Sequence, residues 1–395
     1  MSDQLTCEAN DILTNTVSRA GGAPGVVAIA TDKTCNIYEG AAGVRELGQT
    51  PAMTTDSVML LASCTKAVTG VALMQLVEQG KVSLNDLARD YVPEIANIKV
   101  LQGFDSNGNA QTRPPKSDIT VDQLMLHTSG MCYDFFSEDL LRYRTAHNIP
   151  SILGCTFESV KDVLLHDPGE RWTYGCGTDW VGKIVENLTG KRLGEVLNER
   201  VFAPLEMQDT AFHMTASMRE RLVTMHMRAP SGELSAHPEI VLPQPPDMDM
   251  GGHGLYATLG DYMKFVRMIL NNGDGTHGRV LKAETVAMMA QNGLGDLKSG
   301  AWTSSNAQLA NDGDFFPGLS KSWAYTFQVN DEPAPTGRPA GELSWAGLAN
   351  TYYWIDRKNG IGGGWSSQIL PFQDVGSYPS SVEFETAVYR DLNRS

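Results

Sequence analysis

The sequence predicts an α/β protein: one discontinuous α/β domain, residues 1–85 with 255–395, interrupted by a mainly helical domain over residues 86–254. Three observations carry this. Alternating, β-branched segments cluster near both ends of the chain, segments with helical apolar spacing fill the middle, and Pro- and Gly-rich stretches separate the helical segments. A crevice between the two domains is the natural place for a site.

The elements follow in order. A helix is expected from about Asp3 to Ala20, stopped by Gly21-Gly22. A strand at Gly25-Val-Val-Ala-Ile-Ala-Thr and a second from Cys35 to Gly43 form a hairpin, turned by Thr31-Asp32-Lys33. An amphipathic helix follows, from about Ser63 to Gln79, ended by Gly80. In the middle region Thr120–His127, Phe157–Leu165 and Asp179–Leu188 show i, i+3, i+4 spacing and read as helices. Asn107–Lys116 and Pro230–Asp249 read as loops. A helix over Asp261–Asn272 leads to strand-like runs at Ser322–Val329, Gly341–Gly347, Asn350–Asp356 and Gly364–Leu370, two of them joined by a turn at Arg357-Lys358-Asn359-Gly360.

Composition narrows the function. The 395 residues carry 31 Lys and Arg against 46 Asp and Glu, a net charge of −15. This acidic balance argues against nucleic acid or an anionic membrane as partner. No stretch approaches 18 apolar residues, so no membrane span is expected. The first residues, MSDQLTCEAND, lack the cationic and apolar regions of a secretory signal. The six cysteines lie far apart without a C-x-x-C pair, which fits free thiols in a reducing cytosol and a cytoplasmic location. No ligand cluster has metal spacing, and no cofactor is implied. Nothing sets the oligomeric state, and a homo-oligomer is allowed.

Most familiar catalytic motifs are missing. There is no G-x-S-x-G elbow, no H-E-x-x-H and no complete P-loop. Gly273-Asp-Gly-Thr-His-Gly matches G-x-G-x-x-G but follows a helix, so it reads as a turn, and the Gly-rich run Gly360–Trp365 follows a turn and is no better a phosphate cradle. Ser63-Cys64-Thr65-Lys66 remains. The S-x-x-K spacing alone carries little, since about one such pair is expected by chance in a chain with this many serines and lysines. Its context says more. Ser63 opens an apolar helical period, where the helix N-terminus favours an oxyanion. Lys66 lies on the same face one turn on, within reach of the serine. A buried lysine there can take the hydroxyl proton. The plain alternative makes Ser63 an N-cap and Lys66 a surface cation, an awkward place for a positive charge.

Four segments together resemble class C β-lactamases and their relatives: Met59-LLASCTKAVTGVALMQLVEQGKVSLND, Leu124-MLHTSGM, Asp167-PGERWTYGCGTDWVGKIVENLTGK and Gly251-GHGLYATLGDYMKFVRMILNNG. They run in family order from about residue 20 to 375. Within that family the sequence is similar to the family VIII carboxylesterases and to the fungal acyltransferases that load statin side chains. The resemblance implies an antiparallel sheet flanked by helices, with Ser63 as nucleophile, Lys66 as its helper and Tyr174 as general base, its phenol acidified by Lys66 or its role shared with it. Trp345-Ala346-Gly347 resembles the family's W-x-G, where Gly347 lets the strand approach the substrate and the Leu348 N–H completes an oxyanion hole with that of Ser63. Tyr174-Gly175-Cys176 departs from Tyr-x-Asn, and Trp345 stands where β-lactamases place a cation.

The implied activity is hydrolysis of small neutral acyl esters through acyl-Ser63, with weak β-lactam turnover allowed. The alternatives are acyl transfer to an alcohol, and a β-lactamase or D-Ala-D-Ala peptidase. A non-catalytic binding protein would have no need of Ser63, Lys66 and Tyr174 together. Other residues have bland readings. His127 is a structural hydrogen-bonder, His253 a cleft-lining candidate, and Cys64 and Cys176 inert buried thiols. Trp172, Trp180, Tyr133 and Phe135 are core aromatics or an acyl pocket.

Overall fold

The computed structural model describes residues 3–394. Its centre is a seven-stranded antiparallel sheet built from both ends of the chain. Strands β1 (Gly25–Asp32) and β2 (Asn36–Gly43) form the expected N-terminal hairpin. The C-terminal strands are β3 (Lys321–Trp323), β4 (Gln328–Asn330), β5 (Leu343–Gly347), β6 (Thr351–Asp356) and β7 (Ile361–Ser366). Their spatial order is β3-β4-β5-β6-β7-β1-β2. The two ends meet where β1 pairs with β7, Val27 opposite Ser366 and Asp32 opposite Ile361.

Both faces of this sheet are covered, which explains why β1 is apolar at nearly every position. Val26, Ala28 and Ala30 face helices α1 (Asp3–Ser18) and α5 (Tyr378–Leu392), in one cluster with Leu5, Leu13, Phe384 and Val388. Val27 and Ile29 point the other way, into a larger cluster containing residues of α2 (Thr65–Glu78) and α4 (Leu259–Leu270). The intervening segment contributes short helices, small two- and three-stranded sheets and one long helix, α3 (Gly177–Thr189), which packs on α2. Its apolar side chains join the same large cluster.

Four expectations need correction. The stretches Asn107–Lys116 and Pro230–Asp249, expected to be loops, each hold one strand of a hairpin, Ala110–Arg113 and Leu234–His237. The helix expected to be amphipathic is α2, and its side chains from Thr65 to Leu76 are all buried, because it packs on α3 and the short helix Leu193–Leu197 inside the larger core cluster. Phe157–Leu165 makes only one 3₁₀ turn, Phe157–Val160. The backbone of Leu164 bonds instead to Lys99 and Leu101, so pairing with a neighbouring chain segment overrides the helical spacing. The run Ser322–Val329 is two strands, turned by an Ala324 N–H to Phe327 carbonyl bond with Thr326 at φ 73°.

The Gly360–Trp365 run, which follows a turn as expected, is β7 itself apart from Gly360, which closes the hairpin at φ 73°. Its glycines give up side chains so that larger neighbours can lie on the strand. A Cβ at Gly363 would sit 2.3 Å from the ring of Trp354, and one at Gly364 2.9 Å from Leu259. The Gly273 motif is a tight hairpin pairing Asp274–Gly275 with Gly278–Arg279, a turn as expected.

No helix among the described residues is long and apolar enough to cross a membrane. The packing on β7 makes a direct prediction. Gly363→Val should lower unfolding free energy by about 1–3 kcal/mol, the usual cost of overpacking, or more where the strand must move. Urea denaturation measures this, and an unchanged midpoint would mean that Trp354 does not cover the glycine.

Candidate active site

Ser63 stands in a sharp turn between a short strand, Val58–Leu60, and α2. Ala62 is held at φ 44°, the left-handed region that side chains avoid, and Ala62–Cys64 form a 3₁₀ turn leading directly into α2. Ser63 thus lies at the head of the helical segment, as the apolar period implied, and within a distorted turn that periodicity does not reveal. The end of β5 presses on this turn: a Cβ at Gly347 would fall 2.2 Å from the Leu61 carbonyl oxygen. Gly347, expected to let the strand approach a substrate, has the turn that bears Ser63 as its close neighbour. Ser63 and Leu348 line the same two cavities, described below.

Lys66 has no solvent exposure. Its Nζ lies 3.2 Å from Ser63 Oγ, 2.8 Å from the Tyr133 hydroxyl and 2.7 Å from the Gly252 carbonyl oxygen. Burial pushes its pKa down to about 8, and Asp179 is the main group that opposes that change. An uncharged amine there keeps a lone pair that can accept the Ser63 proton.

Tyr174 receives a hydrogen bond from Trp345 Nε1 at 3.0 Å. Burial drives its pKa up, and contacts with Ser63 and Trp345 only partly oppose this. The expected acidification by Lys66 is therefore overturned: the phenol stays protonated over the working range. Lys66 lies 4.9 Å from the centroid of the Tyr174 ring. Beneath the same ring lies His127, with centroids 4.7 Å apart, and its Nδ1 accepts weakly from the Gly175 N–H at 3.4 Å. Burial lowers the His127 pKa well below the usual value, so this imidazole is neutral and structural.

Trp345 packs edge-to-face on Trp323 at 4.5 Å. Because its N–H is engaged by Tyr174, it offers a substrate ring surface and no donor. Lys321 is bonded to the Leu319 carbonyl and to Asp314, and Arg338 is buried beside Glu385. Neither lines a cavity that reaches Ser63.

Two cavities meet at Ser63, Phe135 and Leu348. The larger, about 270 Å³, is walled by apolar residues such as Ile152, Leu242 and Leu370, with Tyr133 and His253 beside the serine and Glu239 as its carboxylate. Hydrogen bonding from His237 holds the Glu239 pKa below the ordinary range. The smaller, about 40 Å³, is enclosed by Phe136, Trp172, Tyr174, Trp302, Trp345 and Phe372.

Of the four aromatics singled out from sequence, Trp172, Tyr133 and Phe135 line these cavities, and Trp180 is core, its indole N–H on the Val160 carbonyl. Burial raises the pKa of both Cys64 and Cys176, so neither is a thiolate. Sequence reasoning missed one contact and one residue. Tyr133, singled out only as a core or pocket aromatic, reaches Lys66 from 67 positions away, and no motif marks that bond. Asp179, five residues after Tyr174, accepts from the Gly252 N–H at 2.8 Å with no exposure; an acidic residue on an apolar helix face was its only signal.

With this geometry in place, comparison with known proteins is direct. The profile of the family described as Beta-lactamase matches residues 10–379. The chain belongs to the Beta-lactamase family. It is an enzyme of the serine β-lactamase-like group, and its fold is theirs. It is 32% identical to the lovastatin esterase of Penicillium rubens over 88% of this chain and 89% of that one. It is 29% identical to the monacolin J acid methylbutanoyltransferase of Aspergillus terreus, over 93% and 91%. The unliganded simvastatin synthase of Aspergillus terreus superposes over the whole of both chains with a TM-score of 0.87 at 26% identity. The statin-type esterases and acyltransferases that the motifs resembled are thus among this chain's relatives.

The depressed Lys66 pKa gives a sign to the pH dependence. Below about pH 8 the amine is protonated and cannot accept a proton. kcat/KM for a neutral ester should therefore rise with pH through a midpoint near 8, and a pH–rate profile over pH 5–10 checks this. A limb near 6.5 instead would point to histidine as the base.

Proposed function

We propose that this protein is a serine carboxylesterase that hydrolyses small neutral acyl esters through an acyl-Ser63 intermediate. The observation that carries the reading is the Lys66 Nζ at 3.2 Å from Ser63 Oγ, at the junction of two apolar cavities that no paired-off cation faces. In this reading, Ser63 Oγ attacks the ester carbonyl as neutral Lys66 takes its proton. The Ser63 and Leu348 N–H groups hold the resulting oxyanion. Collapse breaks the ester C–O bond, and the leaving alkoxide takes a proton delivered from Lys66 by way of Tyr174. Water then attacks the acyl-enzyme and gives a proton to Lys66, the acyl–Oγ bond breaks to release the acid, and that proton returns to Ser63 Oγ.

An alcohol can replace water in the last step. Two cavities around one serine support this second reading, because an acyl group in one leaves the other for an acceptor. Relatives named for transfer and for ester hydrolysis support both outcomes. The reading also keeps the division of the chain: residues 86–254 supply Tyr133, Tyr174 and Glu239, and residues 1–85 and 255–395 supply Ser63, Trp345 and Leu348, facing each other across the site. Four buried and two exposed free thiols fit a reducing, cytoplasmic setting.

β-Lactamase action is the weaker reading. Penicillins and cephalosporins carry a carboxylate, and a charge-assisted hydrogen bond to it is worth about 1.5–3 kcal/mol. Here Lys321 and Arg338 are engaged elsewhere and Glu239 lines the larger cavity with the same sign of charge.

Two experiments test the proposal. A fluorophosphonate should add mass to the peptide bearing Ser63, and Ser63→Ala should remove both labelling and turnover; a label on any other serine rejects the assignment. kcat/KM for a short p-nitrophenyl ester should exceed that for nitrocefin by at least about a hundredfold, the scale of one lost charge-assisted contact. Equal values would favour a β-lactamase.

A further inference from the structure

The carboxylate of Asp179 has no place in the chemistry above, yet it is fully buried and its surroundings call for one. Asp179 lies in the first turn of α3, where the helix dipole favours an anion. Its Oδ1 accepts the Gly252 N–H at 2.8 Å, and its Oδ2 is buried without a hydrogen-bond partner among the described residues. Its nearest ionisable neighbour in contact range, His253, holds Nδ1 3.7 Å away. Among the described residues no Lys or Arg forms an ion pair with it. A buried carboxylate in this position is costly unless a charge answers it.

The answering charge is one residue further on. Gly252 offers its N–H to Asp179 and its carbonyl oxygen to Lys66 Nζ at 2.7 Å. The glycine is required: a Cβ there would lie 2.5 Å from Asp179 Oδ2. We propose that Asp179 is the positioning residue and counter-charge of Lys66, acting through Gly252, and that it keeps the lysine able to hold a proton in a site that otherwise strips it.

The other titratable groups around Lys66 do not carry charge. Burial raises the pKa of the phenols of Tyr133 and Tyr174 and of the thiols of Cys64 and Cys176. It lowers that of the imidazoles of His127 and His253. Phenols, thiols and imidazoles are all neutral near pH 7 to 8, so Asp179 is the charge that opposes the desolvation of Lys66 among these groups. A lysine that loses its proton too readily would accept from Ser63 but deliver poorly to a leaving group. Balanced near the working pH, it can do both.

The inference rests on Lys66 being the proton acceptor for Ser63, and its test separates the two. Asp179→Asn keeps the shape and can still accept from the Gly252 N–H, but removes the charge. Lys66 should then lose its proton more easily. The acid limb of the pH profile for Ser63 acylation, measured by stopped-flow release of p-nitrophenol, should move down by about one pH unit, the scale of a unit charge at several ångströms in a partly polar interior. The acylation rate on the plateau should fall as well. Asp179→Ser, smaller and neutral, should shift the limb the same way and serves if the Asn variant folds poorly. A limb that stays in place while the plateau drops would make Asp179 a helix-capping carboxylate and overturn the inference. Failure of Ser63 to label in the unaltered enzyme would instead reject the acyl-enzyme reading, whatever Asp179 does.

Discussion

The burial of Lys66 is the constraint on which the site depends. An ammonium without solvent costs several kcal/mol unless its donors are met. Here three acceptors converge on it from three parts of the chain: Ser63 from its own helix, Tyr133 from the inserted segment and Gly252 from the loop before α4. Meeting those needs fixes how the segments sit against one another. Tyr174 is set independently, by the Trp345 indole above and the His127 ring below. One buried and one half-buried polar side chain thus reach one serine hydroxyl from different directions, each held by its own partners.

Rigid support reaches the serine through the sheet. β5 stands between β4 and β6, and its last residue, Gly347, abuts the Leu61 carbonyl. The placing of Ser63 beside Leu348 is then set by backbone packing and not by side-chain rotamers, as the proposed oxyanion role of their N–H groups requires. The left-handed Ala62 is the local strain that this contact holds in place.

Much of this was legible in the residues. The hairpin at Gly25–Gly43, the helices α3 and α4 and the trio Ser63, Lys66 and Tyr174 follow from periodicity, turn residues and motif, because each is encoded within a short stretch. What was not legible depends on contacts between distant stretches. Nothing local says that α2 is covered on every side, or that Gly362–Gly364 yield space to Val266, Trp354 and Leu259. Ionisation behaves the same way. From sequence, Tyr174 looked like the acidified group; in the fold, burial weighs more than the lysine, and Lys66 is the group brought into the physiological range. Tyr133 and Asp179 could not be placed because their partners lie 67 and 73 residues away.

The β1–β7 pairing has a consequence for how the chain matures on the ribosome. Val27 finds Ser366 only after roughly 340 further residues have been made, or about 20–70 s at ~5–20 residues per second. Until then β1, apolar on both faces, has β2 on one side and no partner on the other. Contacts of such long sequence separation form slowly. The nascent chain therefore carries an adhesive strand edge through nearly all of its synthesis, and its yield in a cell will depend on holdase chaperones as much as on the stability of the finished fold.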